Sequence, residues 1–570
     1  MTPPLKGLAP VDFAVIAAYM ALMLAIGVYS MRFNRGATDY FKGGSRIHWL
    51  AAGLSSFMSG FSAWTFTGAA GLAYQHGVVT VLLYVGNACT FLLGYFLFAV
   101  RWRRARIGTV MEYLVDRYDE RTRQAFSWTT ILFQFFTGAS MLYGLGLFVA
   151  STCDLPLVWT IFGSGIVILA YCVIGGLWAV VITDFLQAVI LMPFTVVMVA
   201  VSLARVGGLG GLLRGLPPEL TSLHLTPGMG WLYVACWTFM VSFGYNTSAM
   251  AQRYFSVADE RAAKKVAFLC FALFVLGAFI WFIPPLAMRV MYPDLRAVWP
   301  GLANPHEASY AVASLTLLPN GLVGIMLAAM FSATMSSLSG LFNVHAAVVS
   351  KDIYQRLIAP QASERQLLVV GWAATFGVGA TMTTLAMGMA AKGQSIFAVM
   401  LTFNTIISLA YGPPALLGLV VKKTPSWSGL LSFAVGLVLG CYGAFVGNWS
   451  LVRNVLIILP TSCLIFLASA FFGRDDADHV ARREGLFARL DTPVDVDREL
   501  QGSVDPTATV FRFLSRATAG VGVLSLVLIH WAGPGERNTV VFYSVLTLLV
   551  AAALTRVGRV RAVERRADAA

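Results

Sequence analysis

A run of hydroxyl side chains lies inside an apolar segment that is long enough to cross a membrane. The segment reads AAMFSATMSSLSGLF over residues 328–342, and its hydroxyl residues are Ser332, Thr334, Ser336, Ser337 and Ser339. At 100° per residue, Ser332, Ser336 and Ser339 share one helix face, which Ser337 borders. Hydroxyls in hydrocarbon are unfavourable without a partner, although small residues also let membrane helices pack closely. The run therefore indicates either a helix-packing surface or a ligand site.

A second membrane-length segment is rich in glycine, serine and threonine. It reads GLSSFMSGFSAWTFTGAAGLAYQHG over residues 53–77. This composition makes a poor continuous helix, so we predict a break near Met58–Phe61 that frees backbone carbonyls. In a membrane such carbonyls can point only into protein or into a wet cavity. Together with two serine hydroxyls of the first segment they would form a compact, nearly neutral oxygen cage, which suits Na⁺ better than Ca²⁺.

Ionisable residues inside membrane segments are functional candidates, because burying them is costly. Asp184, within GGLWAVVITDFLQAVIL, is the acid that we place well inside the membrane, and we predict no Lys or Arg deep in a span. Asp184 is either a protonated structural acid or the partner of a cation. For His345 and His530 we expect structural roles.

The composition places both segments in a polytopic membrane protein. Of the 570 residues, 58% are hydrophobic and 12% are charged, whereas a soluble chain carries about a quarter of charged residues. We find no alternating strands of the kind that form a membrane β-barrel. We predict about 15 transmembrane helices, at residues 11–31, 47–76, 78–100, 124–152, 156–174, 176–204, 231–251, 266–288, 319–350, 367–388, 394–421, 427–447, 454–472, 515–532 and 538–555.

The charge distribution predicts the topology. Most of the 40 Lys and Arg fall in every second loop and in the C-terminal tail, which places the N-terminus outside and the C-terminus in the cytoplasm. This asymmetry accounts for the net charge of +13 without nucleic-acid binding. The first span is too long for a cleavable signal and is followed by the stop-transfer pattern MRFNR. The seven cysteines form no CxxC pair, so we expect neither a disulfide framework nor a transition-metal site.

Several motifs in a fixed order resemble the sodium:solute symporter family, which includes the sodium/glucose, proline, sialic acid, iodide and multivitamin transporters. The resemblance runs from residue 11 to about residue 472. It rests on DYFKGGSRIHW, TVMEYLVDRYDERTR, GGLWAVVITDFLQAVIL, AQRYFSVADERAAKK, MLAAMFSATMSSLSGLFNVHAAVVSKDIY and LAYGPPALLGLVVKK.

The resemblance implies an all-α membrane fold with an inverted five-plus-five helix repeat (LeuT-like) and accessory helices. The implied divisions are an accessory helix and cytoplasmic loop (1–46), core repeat one (47–204), an extracellular loop (205–230), core repeat two (231–421), accessory helices (422–472), a charged cytoplasmic loop (473–514), and two extra helices with a basic cytoplasmic tail (515–570). The mixed charge of the 473–514 loop suggests a solvated surface element.

The resemblance also implies the ion sites. The main sodium site falls on the carbonyls of Met58, Phe61 and Ala333 and the hydroxyls of Ser336 and Ser337. Some family members bind a second sodium, which here would use Asp184, Ser336 and Ser339. Those members have a further serine at the position of Gly340, so the second ion is open, and proton coupling through Asp184 is an alternative.

The solute pocket is less clearly implied. Gly60 and Thr65 stand where the sugar transporters have Asn and Gln, and Tyr84 replaces their acid, so the sugar pattern is absent. The QRYFS stretch resembles the corresponding stretch in transporters of iodide, monocarboxylates and vitamins, which hints at an anionic solute. The candidate pocket residues, for which helix packing is an equal alternative, are Ser59, Trp64, Thr65, Tyr84, Asn87, Tyr143, Trp237, Tyr245, Asn246, Phe403, Asn404 and Thr405. We expect aromatic gates at Trp64, Tyr245 and Phe403.

The implied function is sodium-coupled symport, in which a small organic solute is imported by alternating access across the cytoplasmic membrane. The expected partners are the solute, the sodium ion and the lipid bilayer, with no cofactor and no obligate protein partner. The alternatives are a sensor built on the same fold and a membrane enzyme. An enzyme would need a cluster of catalytic residues, and the isolated Asp184 does not supply one.

Overall fold

A computed structural model shows a chain of helices, with no β-strand in the residues that it describes. These residues are 7–30, 47–60, 62–174, 177–221, 229–299, 302–473, 475–499 and 507–568. Within them, 11 helices are long and apolar enough to cross a membrane. Two shorter apolar helices and two segments that are each divided between short helices occupy the remaining predicted spans. The prediction of an all-helical, multi-pass membrane protein is confirmed.

The first half of the chain supplies one accessory helix and five core spans. The accessory helix is α1 (Pro10–Ser30). The core helices are α2 (Trp49–Ser59), α3 (Ala63–Phe66), α4 (Gly68–His76), α5 (Val79–Arg104, with a π turn at Gly94–Phe98), α6 (Val110–Arg117), α7 (Glu120–Cys153), α8 (Leu157–Ile174) and α9 (Leu177–Val206). Short helices follow at Gly208–Gly215 and Pro218–Thr221.

The second half supplies five more core spans. Their helices are α10 (Trp231–Tyr245), α11 (Ser248–Phe255), α12 (Glu260–Met291), α13 (Ser309–Leu317), α14 (Leu322–Ala347, continued by a π-helix at Val348–Ile358), α15 (Glu364–Ala391) and α16 (Ile396–Leu417). Short 3₁₀ turns lie at Leu295–Ala297 and Pro305–Ala308.

Accessory elements complete the chain. They are α17 (Trp427–Phe445), α18 (Leu451–Ala468, with a 3₁₀ turn at Ser469–Phe471), α19 (Ala477–Asp491), a turn of helix at Val496–Glu499, α20 (Thr507–Val527, with a 3₁₀ turn at Leu528–His530) and α21 (Arg537–Asp568). The two extra helices, α20 and α21, pack against each other and against α9.

The first core span is interrupted where its composition predicts a break. Helix α2 ends at Ser59, and Gly60 follows as its C-cap. Helix α3 starts after Ser62, whose extended backbone and side-chain oxygen cap the new helix by accepting a bond from the Trp64 amide at 3.3 Å. A second irregular residue, Thr67, separates α3 from α4.

A matching break divides the first span of the second half, and it was not predicted from the sequence. Helix α10 ends at Tyr245, and Thr247 has an extended backbone before α11 begins. Asn246 stabilises this break, because its amide donates to the carbonyls of Thr90 at 3.0 Å and Ser242 at 3.1 Å. Each set of five core spans therefore begins with a discontinuous helix.

The charged loop exposes most of its described residues to solvent and packs one apolar stripe against the protein. Leu486, Phe487 and Leu490 of α19 are buried. Arg106 Nε contacts the Glu499 carboxylate at 2.7 Å, which ties the segment to the end of α5. Charge composition alone did not reveal the apolar stripe that α19 buries.

Candidate functional site

Helix α14 contacts both sides of the first helix break. The Ser337 hydroxyl donates to the Met58 carbonyl at 3.4 Å, just before the break. The Thr334 hydroxyl accepts from the Ala63 amide at 3.2 Å, just after it. The hydroxyl run thus satisfies backbone groups that the interrupted helix leaves without helical partners.

The predicted main sodium ligands gather at this junction. Met58, Ala333, Ser336 and Ser337 are all buried, and Ala333 lies one helical turn before Ser337. The Ser336 hydroxyl has no hydrogen-bond partner within the described residues. Phe61, the remaining predicted ligand, lies outside the described residues. The junction offers carbonyl and hydroxyl oxygens, which are the hard, neutral ligands that an alkali cation accepts.

Asp184 faces a buried arginine, Arg253, which lies just beyond the predicted span 231–251 and which the charge pattern therefore placed in a basic loop. Arg253, on α11, and Asp184, on α9, are 1% and 0% exposed. Their nearest charged atoms, Arg253 Nη2 and Asp184 Oδ2, are 3.8 Å apart. The Ser55 hydroxyl connects the two, since it donates to Asp184 Oδ2 at 2.6 Å and accepts from Arg253 Nε at 3.1 Å. Arg253 Nη2 also donates to the Ser59 hydroxyl at 3.3 Å.

Of the residues predicted for a second cation, Ser336 neighbours the Asp184 carboxylate, and Ser339 contacts Ser336. Asp184 Oδ1 has no hydrogen-bond partner in the described part of the chain, and Ser336 neighbours the same carboxylate. The Ser339 hydroxyl instead donates to the Ser336 carbonyl at 3.0 Å. A cation bound here would compete with Arg253 for Asp184, so the second site stays a prediction.

A cavity of about 200 Å³ adjoins the helix break. Ser59, Gly60 and Ser62 line it beside the predicted sodium ligands. From there it extends along α7 as far as Thr130 and along α16 as far as Tyr411. These residues lie toward the ends of the helices that carry the basic loops, which on the predicted topology is the cytoplasmic side.

Four stacked aromatic rings close the opposite end of the cavity, and we name them the aromatic stack. Tyr84 lies 6.3 Å from Trp64, Trp64 lies 6.1 Å from Phe397, and Phe397 lies 6.2 Å from Trp237, as measured between ring centroids. The interplanar angles of these pairs are 19°, 16° and 7°. Two of these rings, Trp64 and Trp237, line the cavity at the end that the predicted topology places outside.

Only some of the predicted pocket residues meet in this cavity. The residues that line it are Ser59, Trp64, Asn87, Trp237, Tyr245 and Asn404. The residues outside its lining are Thr65, Tyr84, Tyr143, Asn246, Phe403 and Thr405. Phe403, predicted as a gate, stacks instead on Phe136 at 4.0 Å. Phe397, which the sequence did not single out, is the residue of α16 that stacks on Trp64 and Trp237.

Helix α7 contributes a polar stripe that sequence reasoning missed. Thr130, Gln134, Thr137 and Met141 all line the cavity. Their spacing of four, three and four residues is the signature of one helix face, so the pattern was available in the sequence. The Thr130 hydroxyl and the Gln134 carbonyl oxygen have no hydrogen-bond partner among the described residues.

A buried carboxyl lies behind the aromatic stack. Glu307 is 1% exposed, and its Oε1 accepts bonds from the Ser395 hydroxyl at 2.9 Å and the Phe397 amide at 3.4 Å. It thus connects the segment before α13 to the first turn of α16. Burial raises the pKa of Glu307 from its ordinary value of 4.5 to about 7.

Comparison with known protein families assigns the chain to one of them. A family model described as the sodium:solute symporter family matches residues 40–436, which is more than half of the chain. The chain belongs to the sodium:solute symporter family. It is therefore a transporter rather than an enzyme.

The chain is similar to several curated members of this family. It is 27% identical over 474 residues to the sodium/myo-inositol cotransporter 2 of Mus musculus, which covers 77% of the chain and 70% of the mouse protein. It is 28% identical over 509 residues to the sodium/glucose cotransporter 2 of Rattus norvegicus, and the match covers 80% of this chain and 74% of the rat protein. It is 26% identical over 473 residues to the sodium/glucose cotransporter of Vibrio parahaemolyticus, and the match covers 77% of this chain and 86% of the bacterial protein.

A solved structure shares the fold. The substrate-bound, outward-open state of a Na⁺-coupled sialic acid symporter superposes with a TM-score of 0.71 at 23% identity, and the match covers 82% of this chain and 98% of that one. The inverted-repeat fold that the sequence predicted is confirmed.

Proposed function

We propose that the protein couples sodium entry to the uptake of a small, neutral, hydroxyl-bearing solute across the cytoplasmic membrane. The observation that carries this proposal is the contact of α14 with both ends of the first helix break, directly beside the cavity. A cation held between Met58 and Ser337 would fix α2 to α14 and order the cavity edge formed by Ser59, Gly60 and Ser62.

The cavity chemistry supports a neutral solute. Among the described residues, its lining carries hydroxyl, amide, aromatic, thioether and aliphatic side chains and no charged group. Arg253, the basic residue of the QRYFS stretch, is paired with Asp184 and separated from the cavity by Ser59. The cavity lining therefore offers no unpaired basic side chain to an anionic solute. A site with several uncharged donors and acceptors beside aromatic faces suits a cyclic polyol or a sugar, the solute types named for the curated relatives. Because Gly60, Thr65 and Tyr84 replace the corresponding residues of the sugar transporters, such a solute would be bound here by other residues of the lining.

The size of the cavity supports a small solute. At about 200 Å³, it is smaller than the roughly 300–1,000 Å³ of sites for drug-sized ligands. A monosaccharide or a cyclitol is compatible with this volume, whereas a larger glycoside would need the cavity to widen.

The mechanism follows from the two sites being adjacent. Sodium binding from outside favours the state in which α14 and the broken helix form the cage, and it can shift the equilibrium only by its differential affinity for the two states. Solute binding lets the aromatic stack close. Opening toward the cytoplasm then weakens the cage, and sodium leaves into a low-sodium compartment. An inside-negative potential adds about 2.3 kcal/mol per charge for each 100 mV.

Uptake into proteoliposomes tests the coupling. Purified protein is reconstituted, and uptake of labelled myo-inositol and D-glucose is measured under an inward sodium gradient, with choline replacing sodium as the control. We expect uptake of at least one probe that requires sodium. Equal uptake in choline would contradict sodium coupling.

A thermal-shift screen tests the solute class separately. Sugars and cyclitols are compared with amino acids, carboxylates and nucleobases, each with and without sodium, because a ligand stabilises the folded state according to its occupancy. We expect sodium alone to stabilise the protein and polyols to add to that effect. Stabilisation by carboxylates or amino acids alone would contradict the proposed solute class.

A further inference from the structure

Two cavity residues from different core helices form a hydrogen bond that fixes the orientation of an amide. Trp237 Nε1, on α10, lies 2.8 Å from Asn87 Oδ1, on α5. The two residues are 4% and 1% exposed, and both line the cavity. An indole N–H can only donate, so the amide atom that it contacts must be the carbonyl oxygen of Asn87. The bond therefore settles an assignment that side-chain shape alone leaves open.

The consequence is that Asn87 presents its NH₂ group to the cavity. Its acceptor is engaged by Trp237, and Nδ2 forms no hydrogen bond with the described residues. A second donor lies close to the same end of the cavity, since Trp64 Nε1 is buried and has no partner among those residues. The end of the cavity beside the aromatic stack thus offers donors that need acceptor atoms.

Resting on the proposed function, we propose that Asn87 determines specificity by donating to an acceptor oxygen of the solute, and that Trp237 is its positioning residue. Trp237 is held in turn by its stacking on Phe397 at 6.2 Å. Without the indole N–H, the Asn87 amide could rotate and present its carbonyl oxygen, which would repel a solute acceptor. Closure of the stack and orientation of the amide are therefore coupled through one indole ring.

A double-mutant cycle tests this division of roles. Sodium-driven uptake of myo-inositol and D-glucose is measured for Asn87→Ala, Trp237→Phe and the double variant, with Trp231→Phe, an exposed tryptophan of the same helix, as the matched control. We expect each single variant to raise the KM of the transported probe about tenfold with little change in maximal rate, because one hydrogen bond is lost. The double variant should be no worse than Asn87→Ala, since Trp237 acts through Asn87.

Asn87→Leu gives an independent readout. Leucine keeps a side chain of similar size but cannot donate a hydrogen bond in any protonation state, so we expect it to be at least as impaired as Asn87→Ala. Effects of the two single substitutions that multiply in the double variant, or a near-normal KM for Asn87→Leu, would overturn the assignment while leaving symport intact. If neither probe is bound while sodium still stabilises the parent protein, the assignment and the solute class both fail, and sodium binding stands.

Discussion

The Arg253 guanidinium lies 3.8 Å from the Asp184 carboxylate in a position that is almost fully shielded from solvent. The pair joins the second half of one broken helix to α9, and Ser55 extends the contact to the other broken helix. Removing one member of such a pair leaves an uncompensated buried charge, which costs far more than the intact pair contributes.

Arg253→Ala should therefore lower the stability of the protein strongly. We expect a loss of about 3–5 kcal/mol in the free energy of unfolding, measured in detergent by thermal or denaturant unfolding. Arg261→Ala, at an exposed position in the first turn of α12, is the matched control and should change stability by less than about 0.5 kcal/mol. Combining Arg253→Gln with Asp184→Asn should recover part of the loss. A similar small effect for both arginine variants would show that the pair has no structural role.

Glu307 should make transport depend on pH. Its pKa of about 7 in the closed outer arrangement exceeds the ordinary 4.5, so this arrangement binds the proton more tightly than one in which the carboxyl is hydrated. Acidification from pH 8 to pH 6 should thus favour outer closure and raise the sodium concentration for half-maximal uptake. In Glu307→Gln, a neutral amide replaces the carboxyl. The sodium concentration for half-maximal uptake of this variant should therefore be the same at pH 8 and pH 6, and close to that of the parent protein at pH 6.

The neighbouring groups supply the control for this experiment. Tyr143 faces Glu307, whereas the next residue in the chain, His306, faces His76 and Arg296, and burial lowers the pKa of His306 to about 4. His306 is therefore neutral across the tested range, and His306→Gln should retain the pH dependence. A full pH response in Glu307→Gln, or its loss in His306→Gln, would contradict the assignment.

Asp12 should stabilise the start of the helix that carries the sodium ligands. Its Oδ1 accepts bonds from the amides of Gly321 at 2.6 Å and Gly324 at 2.8 Å, at the N-terminus of α14. Asp12→Ala leaves these buried donors unpaired at about 1–3 kcal/mol each, so the unfolding temperature should fall. Asp12→Asn keeps an acceptor oxygen, so its unfolding temperature should fall less than that of Asp12→Ala. Equal stability of Asp12→Ala and the parent protein would exclude this role.

The sequence predicted the features that depend on local composition. Long apolar runs predicted the helices, and the Gly- and Ser-rich segment predicted a break near Met58–Phe61, which the structure has between Ser59 and Ala63, because both properties arise within one stretch of chain. The need to satisfy polar atoms in a membrane indicated that serine hydroxyls of the run at 328–342 meet this break, and the family resemblance assigned Ser337 among them.

The features that were missed depend on how distant segments meet. Arg253 was assigned to a basic loop because it follows an apolar run, and only the second break at Asn246–Thr247 places it inside the protein against Asp184. Phe397 and Phe403 lie on one helix, and the choice between them depends on helix rotation. That rotation is not encoded in a helix with apolar residues on most of its faces.

The sodium requirement of Ser337→Ala tests the central claim most directly. Ser337 supplies one oxygen of the proposed cage, whereas Ser332, on the same helix, donates to the Tyr19 hydroxyl at 2.6 Å and serves as the matched control. We predict that Ser337→Ala raises the sodium concentration for half-maximal uptake by about tenfold or more, because one of a few hard ligands is lost, while Ser332→Ala leaves it nearly unchanged. An unaltered sodium requirement in Ser337→Ala would contradict a cation site between α14 and the broken helix.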